Sequence, residues 1–362
     1  MIMSIIAAVR GVLPQHRYEQ PEITAAFSGM VFGAAGPGTS RDRTALLHRF
    51  HAATGVRTRH LALPLADYGG LDSFTATNDA FLDVGVELGE RAVRTALDAA
   101  GLRPGDVDHI MSVSVTGIGV PSIDARLVPR LGLRDDVKRI PVFGLGCVAG
   151  VAGISRLHDI LRGDPDGVAV LLSVELCSLT VQHDDASTAN LIASGLFGDG
   201  AAAVVLVGDR RATALGLTGP RVVDTRSRFY PDTEQVMGWD IGEHGFRIVR
   251  APTVADVVEK YLRDDVDGFL SGHQLQVGDI ATWVTHPGGP KVIEAIGRAL
   301  DLPAQALAVT RECLADIGNL SSSSVLHVLQ RTLAAGLPRA GTPGVMIAMG
   351  PGFCTELALL EW

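Results

Sequence analysis

The chain has 362 residues and a formal charge of −9, with 47% hydrophobic and 20% charged residues. That balance describes a globular protein with a large core and excludes a general nucleic-acid or anionic-membrane surface. No apolar run is long enough to span a membrane, Met1 to Val9 has no basic stretch or cleavage site of a signal peptide, and the four scattered cysteines form no CxxC pair, so a reducing cytoplasm is expected and a disulfide framework or zinc site is not.

Taken in chain order, strand-like and helix-like runs alternate, which points to an α/β architecture. The segment Arg41 to His60 is locally basic, with Arg41, Arg43, Arg49, Arg57 and Arg59 against the single acid Asp42. The ordinary reading is a solvated helix face, and the functional one is a clamp for phosphates at a tunnel mouth, with Lys291 as an addition. Leu82–Ala100 reads as an amphipathic helix, and Gly105-Asp106 leads into the strand-like Val107–Val115.

Next comes Phe143-Gly144-Leu145-Gly146-Cys147-Val148-Ala149-Gly150, where an apolar strand-like run stops and a helix-like run, Val151 to Leu161, begins. A cysteine at such an elbow faces the free N–H groups of a helix N-terminus. Their partial positive charge favours the thiolate that a nucleophile needs. The competing role is a buried, inert cysteine.

The second part of the chain echoes the first. Gly278-Asp279 leads into a strand-like Ile280–Thr285, 173 residues after Gly105-Asp106 and its strand, and Gly318-Asn319 follows Gly146-Cys147 by 172. Gly167–Val174 and Gly344–Met349 are matching strand-like runs. An offset of 172 to 173 in the first two pairs, and of 177 in the third, suggests a duplication, although αβ units resemble one another in any case. Duplication would bring equivalent loops of both halves to one site, with Cys147 and Asn319 in matching elbows and His286 ending the strand that matches Val107–Val115.

His286 ends its strand in His286-Pro287-Gly288-Gly289-Pro290, a loop built for access. Asn319 precedes a run of four serines, and its ordinary role is a helix N-cap. Together the three suit acyl transfer. The cysteine takes the acyl group as a thioester, while a histidine N–H and an asparagine amide steady a developing oxyanion or enolate. Gly198-Asp199-Gly200 and Gly350-Pro351-Gly352 are glycine turns and match no nucleotide-binding fingerprint.

Five blocks in this order resemble the type III polyketide synthases, the chalcone-synthase-like branch of the thiolase superfamily. They are Gly146-Cys147-Val148-Ala149-Gly150, Leu196-Phe197-Gly198-Asp199-Gly200-Ala201, His286-Pro287-Gly288-Gly289-Pro290, Gly318-Asn319-Leu320-Ser321-Ser322 and Gly350-Pro351-Gly352. The resemblance implies a homodimer of five-layered αβαβα fold, with residues 1–208 forming the half that carries the cysteine and 209–362 the half with the histidine and asparagine. It implies acyl-CoA and malonyl-CoA as substrates, no cofactor beyond them and no bound metal.

By the same resemblance Cys147 holds the starter and growing chain, and His286 and Asn319 drive decarboxylation of the extender. Phe197 and Phe246 match gatekeeper phenylalanines, whose ordinary role is core. Thr180, Met237 and Ser321 are placed in the substrate pocket, and Val120 in a loop reaching the partner's cavity. Arg49, with Arg57, Arg59 and Lys291, is placed at the CoA phosphates. The plant enzymes have methionine where this chain has Val120 and glycine where it has Met237, so the cavity is expected to differ in shape.

Among bacterial members the segment Leu171 to Thr180 is most similar to alkylresorcinol and alkylpyrone synthases, which implies a fatty acyl starter and a pyrone or resorcinol product. The alternatives are an initiating ketoacyl-ACP synthase, whose histidine motif usually reads His-Gln-Ala-Asn, or a non-catalytic acyl-binding partner on the same fold.

Overall fold

The computed structural model describes residues 3–32, 37–250, 253–336 and 338–362. The first half contributes β1 (Ser4–Val12), β2 (His16–Glu19), α1 (Gln20–Phe32), α2 (Pro37–Ala53), β3 (Thr58–Leu61), α3 (Phe74–Ala100), β4 (His109–Ser114), α4 (Ile123–Leu131), β5 (Lys138–Phe143), α5 (Ala149–Gly163), β6 (Val168–Leu176), α6 (Thr188–Leu196), β7 (Asp199–Gly208) and α7 (Asp209–Leu215). The second contributes β8 (Arg221–Phe229), β9 (Met237–Gly242), β10 (Gly245–Arg250), α8 (Val254–Ser271), β11 (Thr282–Thr285), α9 (Pro290–Ala299), α10 (Ala308–Ile317), α11 (Ser322–Ala334), β12 (Pro343–Gly350) and β13 (Cys354–Glu361).

Nine strands form one sheet in the order β11-β12-β13-β8-β1-β7-β6-β4-β5. The order reads outward from the middle in two similar arms. In each, a strand next to the middle pairs antiparallel with a long strand, which pairs antiparallel with the next, followed by a parallel neighbour. Within the sheet the arms join where Ser4 and Ile5 of β1 pair with Val222 and Arg221 of β8. β6 (VAVLLSVEL) and β7 (DGAAAVVLVG) are buried at every position. Their runs are nearly continuous rather than alternating because both faces of the sheet are covered.

The layers follow from which helix covers which face. α3 and α4 pack on the outer face of the first arm, with Leu88, Ala92, Val93 and Leu97 against Val170, Leu172, Ala203 and Val205. α8 and α9 cover the outer face of the second arm. Between the arms lie α5 and α11, whose Val151, Ile154, Leu157, Val325, Leu326 and Leu329 are fully buried among strands of both halves. Each such side chain contributes about 1.5–3 kcal/mol by leaving water. The result is the five-layered αβαβα fold expected from the sequence.

The two middle helices matter most, because α5 begins just after Cys147 and α11 just after Asn319. α3 starts eight residues earlier than the apolar periodicity suggested. Ser73 caps it, accepting from the Ala76 N–H, and Gly101 at φ 67° closes it.

Candidate active site

Cys147 sits in the single tight turn Gly146–Val148 that runs directly into α5. The turn is pinned by the other half of the molecule. Gly146 has φ 56°, and a Cβ there would lie 2.6 Å from the Pro351 ring. A Cβ on Gly150 would lie 2.5 Å from the Ser322 carbonyl oxygen. Glycine at both places lets the α11 and Pro351 segments close onto the cysteine elbow. Cys147 is 7% exposed, and its sulfur lies 3.6 Å from Ser321 Oγ. Ser321 itself has φ 48°, a left-handed conformation costly for a non-glycine residue.

His286 stands at the end of β11, where its N–H donates to the Ile347 carbonyl of β12 at 2.8 Å. Its ring is buried, and burial lowers its pKa to about 3. The imidazole is therefore neutral at physiological pH and carries one N–H. Nδ1 has no partner among the described residues. A neutral ring that donates from Nε2 suits an oxyanion and requires no ion pair.

Asn319 follows Gly318, which ends α10 at φ 74°. Its backbone is stitched to the α6–β7 connection: Asn319 N–H donates to Leu196 O at 2.9 Å and Gly198 N–H donates to Asn319 O at 3.0 Å. These bonds set Phe197 beside Asn319. The side-chain Oδ1 accepts from the Ser321 N–H at 2.8 Å. It thus closes a local Asx turn just before α11 and leaves the amide NH2 for a substrate. The N-cap position expected for Asn319 is held by Ser321 instead, and the turn and the functional role of Asn319 use different atoms.

Cys147, His286 and Asn319 line one cavity together with Phe197 and Met237. It holds about 470 Å³, its mouth included, and is walled further by Val254, Val292, Ile296, Ile347, Met349 and Phe353. None of these six was singled out from the sequence, although two signals were present. Val292 and Ile296 are one helical turn apart just past the His286 loop, and Ile347 and Met349 share a face of the strand that ends at Gly350-Pro351-Gly352. Phe197 also lines a second cavity of about 420 Å³, walled by Ile23, Phe27, Met30, Leu61 and Val181.

Of the other expected pocket residues, Ser321 adjoins Cys147, whereas Thr180, Phe246 and Val120 lie elsewhere. Thr180 and Phe246 are buried, and the amide of Gln182 donates to both their carbonyls. Phe246 packs among Phe74, Phe143 and Trp239. Neither lines the cavity of Cys147. Val120 is fully exposed.

The basic segment separates into different fates. Arg49 and Lys291 are exposed, on α2 and at the start of α9. The turn that follows α2 reaches α9 here, since a Cβ on Gly55 would stand 3.7 Å from Pro290 Cγ. Arg57 is exposed but bridged to Glu312 at 2.8 Å and Asp316 at 2.7 Å. The expectation for Arg59 is corrected: it is 2% exposed and bonded to Phe197 O and Gln20 Oε1, so solvent-borne phosphate does not reach it. The Arg41 side chain lies outside the described residues.

Behind the site a carboxylate was missed. Glu175 of β6 is fully buried and accepts from Ser322 Oγ, Thr116 Oγ1 and the Val115 N–H. Burial pushes its pKa up to about 7. Among the described residues no group of three or more His, Cys, Asp or Glu is placed to hold a metal ion, and no helix is long and apolar enough to cross a membrane.

Comparison with known proteins places this geometry. Residues 42–210 match the model of the chalcone and stilbene synthase N-terminal domain, and residues 221–361 that of the C-terminal domain. The chain is 53% identical over 357 residues to a 1,3,6,8-tetrahydroxynaphthalene synthase of Streptomyces peucetius subsp. caesius, covering 99% of this chain and 93% of the relative. It is 30% identical over 367 residues to the phloroglucinol synthase of Pseudomonas fluorescens, covering 99% of each. The crystal structure of 1,3,6,8-tetrahydroxynaphthalene synthase from Streptomyces coelicolor, a bacterial type III polyketide synthase, superposes with a TM-score of 0.91 at 29% identity over 99% of both chains. With both halves matched in order and nearly the full length aligned, the chain belongs to the chalcone and stilbene synthase family and is a type III polyketide synthase, an acyltransferase.

Proposed function

We propose that Cys147, His286 and Asn319 carry out decarboxylative chain extension on CoA thioesters, and that the product is a polyhydroxylated aromatic built from malonyl units. The convergence of the three side chains on one cavity supports the first part. The Cys147 thiolate attacks the starter thioester and CoA leaves as its thiol. A malonyl thioester then binds with its carbonyl between the His286 and Asn319 N–H groups. Loss of carbon dioxide leaves an enolate that these donors steady. The enolate carbon attacks the acyl group on sulfur, a carbon–carbon bond forms, and Cys147 is freed as thiolate.

The second part rests on the relative at 53% identity. A naphthalene skeleton with oxygen on alternate carbons is what five two-carbon malonyl-derived units yield, without a long starter. The fatty acyl starter and the pyrone or resorcinol product expected from the sequence remain the second reading. The aliphatic wall of Val254, Val292, Ile296, Ile347 and Met349 favours it. Each buried methylene would contribute about 0.8 kcal/mol to binding of such a chain.

The reading includes a cytoplasmic homodimer. Ile118 and Val120, in the loop after β4, and Phe143, at the end of the paired strand β5, are large apolar residues left exposed on the single chain. Arg49 and Lys291 are assigned to the CoA phosphates.

Two experiments test this. Malonyl-CoA alone should give an aromatic pentaketide by mass spectrometry. Product that forms only with a long acyl-CoA would replace the first reading with the second. In the second experiment, Cys147→Ala should make no polyketide yet still decarboxylate malonyl-CoA slowly, while Asn319→Ala should acylate on Cys147 but decarboxylate poorly. Full-length product from Cys147→Ala would refute the nucleophile.

A further inference from the structure

We propose that Arg59, braced by Gln20, is a positioning residue that fixes Phe197 and Asn319 and thereby sets how bulky a group fits beside Cys147. The proposal rests on the reading above in taking the cavity of Cys147 as the acyl site.

Arg59 lies on β3, outside the catalytic half-elements, and is buried. A buried cation usually has a carboxylate for company. Among the described residues none lies within ion-pair distance of this guanidinium, and the nearby Asp199 is occupied by the N–H groups of Ala62 at 2.6 Å and Ser178 at 2.8 Å. What Arg59 does hold is one backbone carbonyl and one side-chain amide. Its Nη1 donates to the Phe197 carbonyl at 2.5 Å and its Nη2 to Gln20 Oε1 at 2.9 Å. Its Nε has no hydrogen-bond partner among the described residues. The planar fork is thus aimed at two acceptors at the expense of a third bond, which lysine cannot imitate.

The brace continues through Gln20, whose Nε2 donates to the Gly195 carbonyl at 2.7 Å. Arg59 and Gln20 therefore grip the chain on both sides of Leu196. The aliphatic stem of Arg59 does the rest. A Cβ on Gly318 would stand 3.1 Å from its Cγ and Cδ, and one on Gly198 would stand 3.5 Å from its Cγ. The stem fills the space beneath Gly318, the residue before Asn319, and Gly198 bonds to Asn319 in turn. One side chain from β3 thus supports both the wall residue and the amide donor. Phe197 lines the catalytic cavity on one side and the second cavity on the other. Its ring can yield into open space once its carbonyl is released.

The test compares Arg59→Lys, Arg59→Met and Gln20→Met with wild type. The last removes the brace while keeping the arginine. The first readout needs no turnover: the rate of Cys147 alkylation by iodoacetamide and by an N-octyl iodoacetamide, followed by mass spectrometry on soluble protein. The ratio of the bulky to the small rate should rise by at least about threefold in Arg59→Lys and Gln20→Met, the scale of one lost hydrogen bond, and further in Arg59→Met. The second readout is malonyl-CoA decarboxylation, whose kcat should fall with little change in KM as Asn319 loses support. An unchanged alkylation ratio overturns the proposal, and Gln20→Met decides it if the Arg59 variants do not fold. Wild type that makes no polyketide from any CoA thioester would refute the proposed function, whereas the alkylation ratio still judges the brace.

Discussion

Cys147 Sγ and Ser321 Oγ lie 3.6 Å apart although 174 residues separate them. One belongs to the elbow of the first half and the other to the matching elbow of the second, so the nucleophile is finished only when the halves close on each other. The hydroxyl is a polar neighbour of the sulfur. Ser321→Ala should slow starter acylation by about fivefold, the worth of one modest hydrogen bond, and leave malonyl-CoA decarboxylation by His286 and Asn319 nearly intact. Single-turnover acylation against decarboxylation rates in the same preparation checks this, and equal losses in both would show that the substitution merely disturbed the fold.

The remaining thiols are poor competitors for an alkylating reagent. Burial pushes Cys313 up to about 12, Cys354 up to about 11, and Cys177 well above its usual value. At pH 7 their thiolate populations are small, and the thiolate is the reactive form. Sub-stoichiometric iodoacetamide at pH 7 should therefore label Cys147 alone, and labelling should track loss of activity. Peptide mapping that finds the first label on Cys177, Cys313 or Cys354 would contradict this.

Much of the site was legible because it is written in short local signals. An elbow glycine, a strand-ending histidine and an asparagine before small residues each mark a turn, and turns are where the two halves meet. The five layers were legible for a related reason, since the repeated offset marks two similar arms. Arg59 was misjudged because charge in sequence says nothing about depth. It lies two residues from Arg57, but Arg57 precedes β3 and turns to Glu312 and Asp316 at the surface, whereas Arg59 is on the strand and its guanidinium reaches inward to the Phe197 carbonyl. Thr180 and Phe246 were placed in the cavity by analogy, whereas Gln182 binds the carbonyls of both and Phe246 packs in an aromatic cluster. The aliphatic wall was missed because Val and Ile at core spacing look alike whether they face another side chain or a cavity.

Glu175 makes stability depend on pH in an unusual direction. Burial raises its folded-state pKa to about 7 from an ordinary value of 4.5. Below about pH 4.5 it is protonated folded or unfolded, and its contribution is fully present. As pH rises toward and through 7 the unfolded chain ionises freely while the folded one resists, so that contribution is lost. Over this window wild type should lose stability relative to Glu175→Gln, by up to about 3 kcal/mol, since each pKa unit is worth about 1.4 kcal/mol. Urea unfolding of both proteins at pH 5 and pH 8 measures the difference, and parallel pH curves would show that Glu175 is not held protonated by its site.

Arg49 and Lys291 supply the final test, because their exposure distinguishes them from Arg59. A CoA phosphate contact is made alike in the ground and transition states, so losing it weakens binding without slowing chemistry. Arg49→Ala should raise KM for malonyl-CoA by about threefold to fivefold, in the range of an exposed ion pair, with kcat nearly unchanged. Lys291→Ala should act similarly, and the two effects should add when combined, as independent contacts do. Screening supplies a control: the KM gap between wild type and variant should shrink as salt rises from low ionic strength to 0.5 M, where the Debye length falls well below about 8 Å. Arg57→Ala should change KM less, because its guanidinium is already bridged to Glu312 and Asp316. Equal KM values for Arg49→Ala and wild type at low salt would return Arg49 to an ordinary solvated charge on α2.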